Sequence, residues 1–224
     1  MAEISATMVK ELRERTGAGI MDCKTALQEA GGDPEKAIES IKKKGLAKAA
    51  KKAGAIAADG VVHAYVHPGG RIGVLVEVNC QTDFVARGDD FKRFVDLVGM
   101  QIASMTPQYT RREDVPAAEL EKQKEIFAAL TAEEGKAAGK PRPAAVVDKI
   151  VAGKIDKWLS EVCLDEQPSI TDNEKNIASI AAELSGAIGE KISVRRFVRY
   201  ELGEGIEKKK VDLAAEVQAA LTSS

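Results

Sequence analysis

The amino-acid sequence predicts an α+β protein in which helices dominate and the strands form a small antiparallel sheet. Aromatic residues make up only 4% of the 224 residues, so most of the buried surface has to come from Ala, Val, Leu and Ile on helices. Apolar residues recur at helical spacing over most of the chain. Two runs rich in β-branched residues, 60–66 and 72–78, flank the turn sequence His-Pro-Gly-Gly at 67–70, which predicts an antiparallel hairpin.

Three helices are predicted before the hairpin. Ser5 or Thr7 can cap the first, which ends at the Thr-Gly-Ala-Gly sequence of residues 16–19. The second covers residues 20–30 and is closed by two glycines. Asp33 and Pro34 suit the cap and the first position of a third helix, which we expect to end near residue 44. These helices predict a compact module of about 45 residues, near the lower size limit for independent folding.

A lysine-rich segment follows the third predicted helix. Residues 42–52 contain six lysines among Gly, Leu and Ala, which is typical of a solvated helical connector. The alternative is an electrostatic contact between these lysines and an acidic partner surface.

Further helices and one more strand are predicted after the hairpin. Apolar residues between Phe91 and Met105 are expected to form the buried face of one helix. Two charged amphipathic helices on either side of Gly-Lys-Pro-Arg-Pro at 139–143 predict an antiparallel helical hairpin that projects from the body. Another helix over 177–188, a third strand over 192–202 and a short terminal helix over 211–217 complete the chain.

These elements divide into five predicted regions. They are a three-helix module with its linker (1–54), a core hairpin and first core helix (55–115), the helical hairpin (116–162), a core helix with the closing strand (163–203) and a C-terminal module (204–224).

Charge and cysteine content exclude several classes of protein. Lys and Arg total 33 against 35 acidic residues, so no global basic field favours direct binding of nucleic acid. Cys23, Cys80 and Cys163 are odd in number and never form a CxxC pair, which argues against a disulfide framework and a zinc site. With no leader sequence and no run of about 18 apolar residues, we expect no membrane partner and a cytoplasmic location of the bacterial type. An organelle is the alternative if a transit peptide has been removed.

No arrangement of residues indicates catalysis, a metal or a cofactor. Gly17-Ala18-Gly19 lacks the third glycine of a dinucleotide fingerprint, and no phosphate-binding loop occurs. His63 and His67 share a predicted strand face but lack a third ligand. Asp83, Asp89 and Asp90 are typical of turns and helix starts, and Cys23 has no neighbouring histidine to activate it. We therefore expect a protein that is not an enzyme and needs no cofactor.

Residues 77–87, Glu-Val-Asn-Cys-Gln-Thr-Asp-Phe-Val-Ala-Arg, are the most informative segment. They place an aromatic ring and a carboxylate just past the end of an apolar strand. Because residues 79–83 are polar and turn-prone, Phe84 is predicted to stand at a strand-to-helix corner. A ring presented in this way favours recognition of a partner protein over catalysis.

Four stretches together resemble one family. Residues 12–19, 21–27, 77–87 and 203–208 are similar to those of translation elongation factor Ts. The resemblance implies a guanine nucleotide exchange factor that binds elongation factor Tu in its GDP-bound and nucleotide-free forms and releases GDP. It also implies that the three-helix module resembles a ubiquitin-associated fold.

The resemblance assigns roles to individual residues. Thr82, Asp83, Phe84 and Val85 are expected to enter the partner beside its nucleotide and to disturb its magnesium ion. Asp83 either orients this corner or pairs with a partner group. Two further sets are expected to contact the GTP-binding domain of the partner: Arg13, Ile20 and Met21 on the three-helix module, and Val211 and Leu213 on the terminal helix.

One departure from the family pattern leads to a further hypothesis. Long members carry two related core halves, each with its own hairpin, whereas this chain has one Gly-Val-Leu-Val strand with one partner strand. We expect a second copy of the chain to take the place of the missing core half, which gives a homodimer. The competing interpretation is an RNA- or ribosome-associated adaptor that uses residues 42–52 and the charged hairpin, although near-neutral charge and few aromatics oppose it.

Overall fold

The computed structural model describes residues 4–137, 139 and 142–206, and within them it shows eight α-helices and one three-stranded antiparallel sheet. The predicted α+β class is confirmed. The helices are α1 Ala6–Thr16, α2 Ile20–Glu29, α3 Pro34–Lys52, α4 Asp83–Arg87, α5 Asp89–Met105, α6 Ala117–Ala137, α7 Ala144–Val162 and α8 Ile177–Ile188. The strands are β1 Asp59–Val66, β2 Ile72–Cys80 and β3 Ser193–Glu201. The terminal helix predicted at 211–217 lies outside the described residues.

Local capping explains where α1 begins and ends and where α3 begins. The Ser5 hydroxyl accepts the Met8 N–H at 3.2 Å, so Ser5 and not Thr7 caps α1. Gly17 has φ 67°, a left-handed conformation that suits glycine, and donates to the Arg13 carbonyl at 2.8 Å. Asp33 accepts from the N–H groups of the second and third residues of α3 at 3.0 and 3.2 Å. The three helices enclose their own buried cluster around Leu12, Cys23, Leu27 and Ala37.

The third helix is longer than predicted. Instead of ending near residue 44, α3 continues without a break to Lys52. The lysine-rich connector is therefore helical, as expected, but it is the second half of the same helix. Ala, Lys and Leu are good helix formers, and the single Gly45 inside the helix costs only about 1 kcal/mol relative to alanine.

The sheet has the strand order β1-β2-β3, with β2 in the centre. The predicted hairpin is confirmed by the antiparallel register, in which Val61 faces Val78 and Val66 faces Gly73. The strand β2 ends at Cys80, two residues beyond the predicted end, because Asn79 pairs with Gly60 of β1 and Ser193 of β3 and Cys80 pairs with Asp59 of β1. One face of the sheet packs on α5 and α8, and its buried residues include Val74, Val76, Val78, Phe91, Phe94, Val98 and Ile177. Met105, expected in this core, is 44% exposed at the end of α5.

The three-helix module docks directly on the core through α3 and α8. The two helices approach closely at Gly45 and Gly186, where a Cβ atom built on Gly186 would lie 2.4 Å from the Gly45 carbonyl oxygen. Just beyond α3, the Lys191 ammonium group donates to the Ala55 carbonyl at 3.1 Å. These contacts attach the module to the same end of α8 that leads into β3.

Helices α6 and α7 pair as the predicted helical hairpin. Their cluster of apolar side chains includes Phe127, Val151, Ile155 and Leu159. At the base of the hairpin, the Arg112 guanidinium contacts Asp156 at 2.9 Å and also binds Glu166. This ion-pair network fixes the base against the short 3-10 turn at Leu164–Glu166. Among the helices that the structure describes, none combines the length and apolar character needed to cross a bilayer.

Candidate partner-binding site

The structure brings Thr82, Asp83, Phe84 and Val85 together at the corner between β2 and α4, which we call the tip. Thr82 is extended, with φ −135° and ψ 153°, and the five-residue helix α4 begins directly after it. The Phe84 side chain is 83% exposed. Val85 packs against the core and Ala86 is buried. The neighbours thus anchor the corner while the ring of Phe84 projects from it.

A carboxylate from a distant part of the chain holds the tip. Glu190, in the loop between α8 and β3, accepts the N–H groups of Gln81 and Thr82, each at 3.0 Å. Its other oxygen accepts the Thr82 hydroxyl at 2.7 Å. Sequence reasoning missed Glu190, because more than 100 positions separate it from the tip and no local motif marks it.

Asp83 makes a local contact within α4. Its carboxylate lies 2.8 Å from the Arg87 guanidinium, one helical turn away, and both side chains are largely exposed. Beneath the tip, the buried Cys80 thiol donates to the Thr82 carbonyl at 3.1 Å. Burial, together with the charge of Glu190, raises the pKa of the Cys80 thiol above its ordinary value. Cys80 is thus a buried neutral donor that supports the corner from below.

The second predicted contact surface lies on the three-helix module. Ile20 and Met21 begin α2 and are 57% and 70% exposed. Arg13 is exposed on α1 and lines a shallow groove with Ile20 and Lys24. Large apolar side chains this exposed are typical of a protein contact. Val211 and Leu213, predicted for the same partner, lie outside the described residues.

Comparison with known proteins identifies the family. The family model described as Elongation factor TS matches residues 34–204. Elongation factor Ts of Desulforamulus reducens is 58% identical over 221 residues, which cover 99% of each chain. Elongation factor Ts of Carboxydothermus hydrogenoformans is 58% identical over 218 residues (97% of this chain, 98% of the relative), and that of Myxococcus xanthus is 55% identical over 221 residues (99% of each).

The chain belongs to the elongation factor Ts family. The resemblance found in the sequence is confirmed, and it places the chain among the elongation factors of protein biosynthesis. Family membership implies the role of a nucleotide exchange factor for elongation factor Tu.

The two histidines that were considered as metal ligands instead contact neighbouring side chains. His63 contacts Asp96 at 3.2 Å, and His67 hydrogen-bonds the Tyr65 hydroxyl at 3.1 Å. In the residues that the structure describes, no group of three or more His, Cys, Asp or Glu side chains is arranged to hold a metal ion.

The lysines of the α3 connector are partly neutralised. Lys43, Lys44 and Lys48 form ion pairs at 2.6 to 2.9 Å with Glu39, Glu29 and Asp22, respectively. Because these carboxylates offset the ammonium charges, the connector presents a weaker basic field than its sequence suggests.

One face of the sheet is apolar and exposed. The face opposite the core carries Val62, Val66, Leu75, Val198 and Tyr200, which are 40–71% exposed. The strand register places Leu75 between Ala64 and Val198, so these side chains form a continuous patch across all three strands. At one end of the patch, Arg195 and Arg196 both bind Glu77 at 2.7 Å.

Proposed function

We propose that this chain accelerates the release of GDP from elongation factor Tu by inserting Phe84 beside the partner's nucleotide and disturbing its magnesium ion. The chain acts on a GTPase partner and is not itself an enzyme. The observation that carries the proposal is the 83% exposure of Phe84 on a corner whose adjacent residues are held by Glu190 and by the core. Such a ring can enter a partner without rearrangement of its own backbone.

The energetics of exchange agree with this role. A factor that binds nucleotide-free partner more tightly than GDP-bound partner weakens GDP affinity by the same ratio, because coupling between two binding sites is reciprocal. Burying one phenylalanine side chain gains about 1.5–3 kcal/mol. That gain is comparable with typical coupling energies of about 1–3 kcal/mol. One inserted ring is therefore sufficient for a substantial effect.

Displacement of the partner's magnesium ion would add to this effect, since the ion neutralises the phosphate charge. Asp83 is paired with Arg87 in the free chain, which supports an orienting role for its carboxylate. An exposed pair of this kind contributes only about 0.3–0.5 kcal/mol, so Asp83 can also leave Arg87 to meet a group on the partner.

Arg13, Ile20 and Met21 supply a second contact to the GTP-binding domain of the partner. Their exposure on α1 and α2 supports this assignment. The terminal segment with Val211 and Leu213 is proposed to contact the same domain. These contacts provide affinity, whereas the tip provides the coupling to GDP.

The test is the release of fluorescent GDP from elongation factor Tu with catalytic amounts of this chain. We expect marked acceleration by the wild-type chain. Phe84→Ala should lose most of it while its thermal unfolding is unchanged, because the ring contributes little to the folded core. Ile126→Ala is the matched control, since Ile126 is also an exposed apolar side chain, 42% exposed, but lies on α6 of the helical hairpin. Full activity of Phe84→Ala contradicts the proposal.

We further propose that two copies of the chain associate through the exposed apolar face of the sheet. Val62, Leu75 and Tyr200 belong to one patch of exposed apolar side chains rather than being scattered singly over the surface. Contiguous exposed apolar surface of this kind marks interaction sites. A symmetric dimer lets one such patch cover the same patch of its partner.

Sedimentation velocity tests the dimer. The wild-type chain should sediment as a dimer at working concentration, and Leu75→Lys should shift it toward monomer because a buried ammonium group at the interface is costly. Ile56→Lys, which adds the same charge in the linker, should leave the dimer intact. A wild-type chain that is monomeric, both alone and with elongation factor Tu, rules out this assembly.

A further inference from the structure

The carboxylate of Glu190 accepts three hydrogen bonds from the first residue of the tip and the residue before it: from the N–H groups of Gln81 and Thr82 and from the Thr82 hydroxyl. An ionised carboxylate is an acceptor only, so it can satisfy all three donors at once. Hydrogen bonds to a charged acceptor are roughly twice as strong as bonds between neutral groups.

The contact determines the conformation of Thr82. This residue occupies the cap position of α4, yet its hydroxyl makes no capping bond to the helix and points to Glu190 instead. Because α4 has only five residues, it has little helical stability of its own. Its direction depends on how its first residues are held, and Phe84 is its second residue.

The loop that carries Glu190 is itself well supported. The Lys191 N–H donates to the Gln81 side-chain carbonyl at 3.2 Å. The Ile192 N–H donates to the buried Ser185 hydroxyl at 2.8 Å, which ties the loop to the last turn of α8. The tip is thus held by a segment anchored in the core.

We propose that Glu190 is a positioning residue for the tip: by holding Gln81 and Thr82 it fixes α4 so that Phe84 is already aimed outward before the partner is met. The inference rests on the proposed function of Phe84 and extends it to a residue that does not touch the partner's nucleotide. Its benefit is preorganisation, because a ring that is already oriented loses less conformational freedom on insertion.

The first experiment measures the maximal rate of GDP release at saturating concentrations of the factor. Glu190→Ala should lower this rate by about tenfold, because the residues of the tip then have to be ordered during the encounter. Glu190→Gln keeps the shape and one acceptor oxygen, so it should recover part of the rate. The concentration needed for half-maximal effect should change much less, since Ile20 and Met21 lie on a separate module. Glu174→Ala, which removes an exposed carboxylate from the loop before α8, should behave as wild type.

The second experiment measures amide hydrogen exchange in the free chain and needs no partner. In Glu190→Ala the amides of Gln81 and Thr82 should exchange at least about tenfold faster than in wild type, while the amide of Val76 in the centre of β2 should be unaffected. Glu190→Gln should give intermediate exchange at both amides, which keeps the test valid if the alanine variant unfolds.

Each outcome is decisive. A wild-type maximal rate in Glu190→Ala, or unchanged exchange at both amides, overturns the positioning role. If the wild-type chain fails to accelerate GDP release, the proposed function is rejected instead. The exchange rates of the Gln81 and Thr82 amides then show independently whether Glu190 holds the tip.

Discussion

Replacing Gly186 with alanine should destabilise the protein, although alanine is the better helix former. The new Cβ atom would lie 2.4, 2.5 and 2.6 Å from the carbonyl oxygen, carbonyl carbon and Cα of Gly45. Since non-bonded carbon atoms prefer separations of about 3.5–4.0 Å, α3 and α8 would have to move apart by about 1 Å. Overpacking of this kind costs about 1–3 kcal/mol. The atoms that clash belong to the backbone of Gly45 and cannot move aside as a flexible side chain can, so the cost should be about 2–3 kcal/mol. The gain in helix propensity returns about 1 kcal/mol, which leaves a net loss of about 1–2 kcal/mol.

Thermal unfolding followed by circular dichroism measures this loss. For a chain of this length, each kcal/mol lowers the midpoint by about 2–4 °C, so Gly186→Ala should unfold about 2–8 °C below wild type. Gly153→Ala in α7 is the matched control, because its Cβ atom meets nothing within 4 Å, and it should unfold slightly above wild type. Gly45→Ala should be neutral to slightly stabilising, because its Cβ atom would lie 3.7 Å from Gly186, an ordinary van der Waals contact, and alanine is the better helix former. A Gly186→Ala chain that is as stable as wild type, with Gly153→Ala behaving as expected, refutes the close-approach account.

Two further predictions concern ionisable groups. Hydrogen bonds from Arg195 and Arg196 lower the pKa of Glu77 to about 2, so its stabilising effect should be complete above about pH 4.5 and lost as the pH falls toward 2. Thermal midpoints of wild type and Glu77→Gln should therefore differ at pH 7 and converge in acid; a constant difference across this range contradicts the assignment. Burial raises the pKa of Cys163 to about 11 and also raises that of Cys80, so a disulfide reagent at pH 8 should modify the native chain slowly and the unfolded chain rapidly. Fast reaction of either thiol in the native chain would show that it is accessible.

The sequence predicted most of the elements because the determinants of those elements are local. The cap at Asp33, the turn at 67–70 and the apolar spacing of α5 each act over a few residues, and each is found where it was expected. The errors lie at the ends of elements, where a periodic pattern gives no sharp boundary. The strand β2 extends to Cys80, which pairs with Asp59 of β1. The helix α3 continues to Lys52, and Met105 is exposed as the last residue of α5.

The candidate site was likewise predicted only in part. The polar, turn-prone residues before Phe84 predicted a presented ring, and the structure shows it exposed. The hydrogen bonds from Gln81 and Thr82 to Glu190 were not predicted, since they join residues 108 and 109 positions apart. Such a contact depends on how α8 and β3 are placed against β2.

From its sequence alone, this chain could be assigned to an α+β class and, by resemblance, to the elongation factor Ts family, and Phe84 could be predicted to be exposed. Side-chain periodicity, caps and turn residues contain the information on fold class and on the exposed ring, because they act within a helical turn or a strand, whereas the family came from the resemblance of four short stretches. Only the tertiary structure decided that α3 docks on α8 through Gly45 and Gly186, and that the carboxylate of Glu190, in the loop after α8, binds Thr82 of the tip. Both contacts join segments that are distant along the chain, and they form only when the helices pack on the sheet and bury their shared apolar surface.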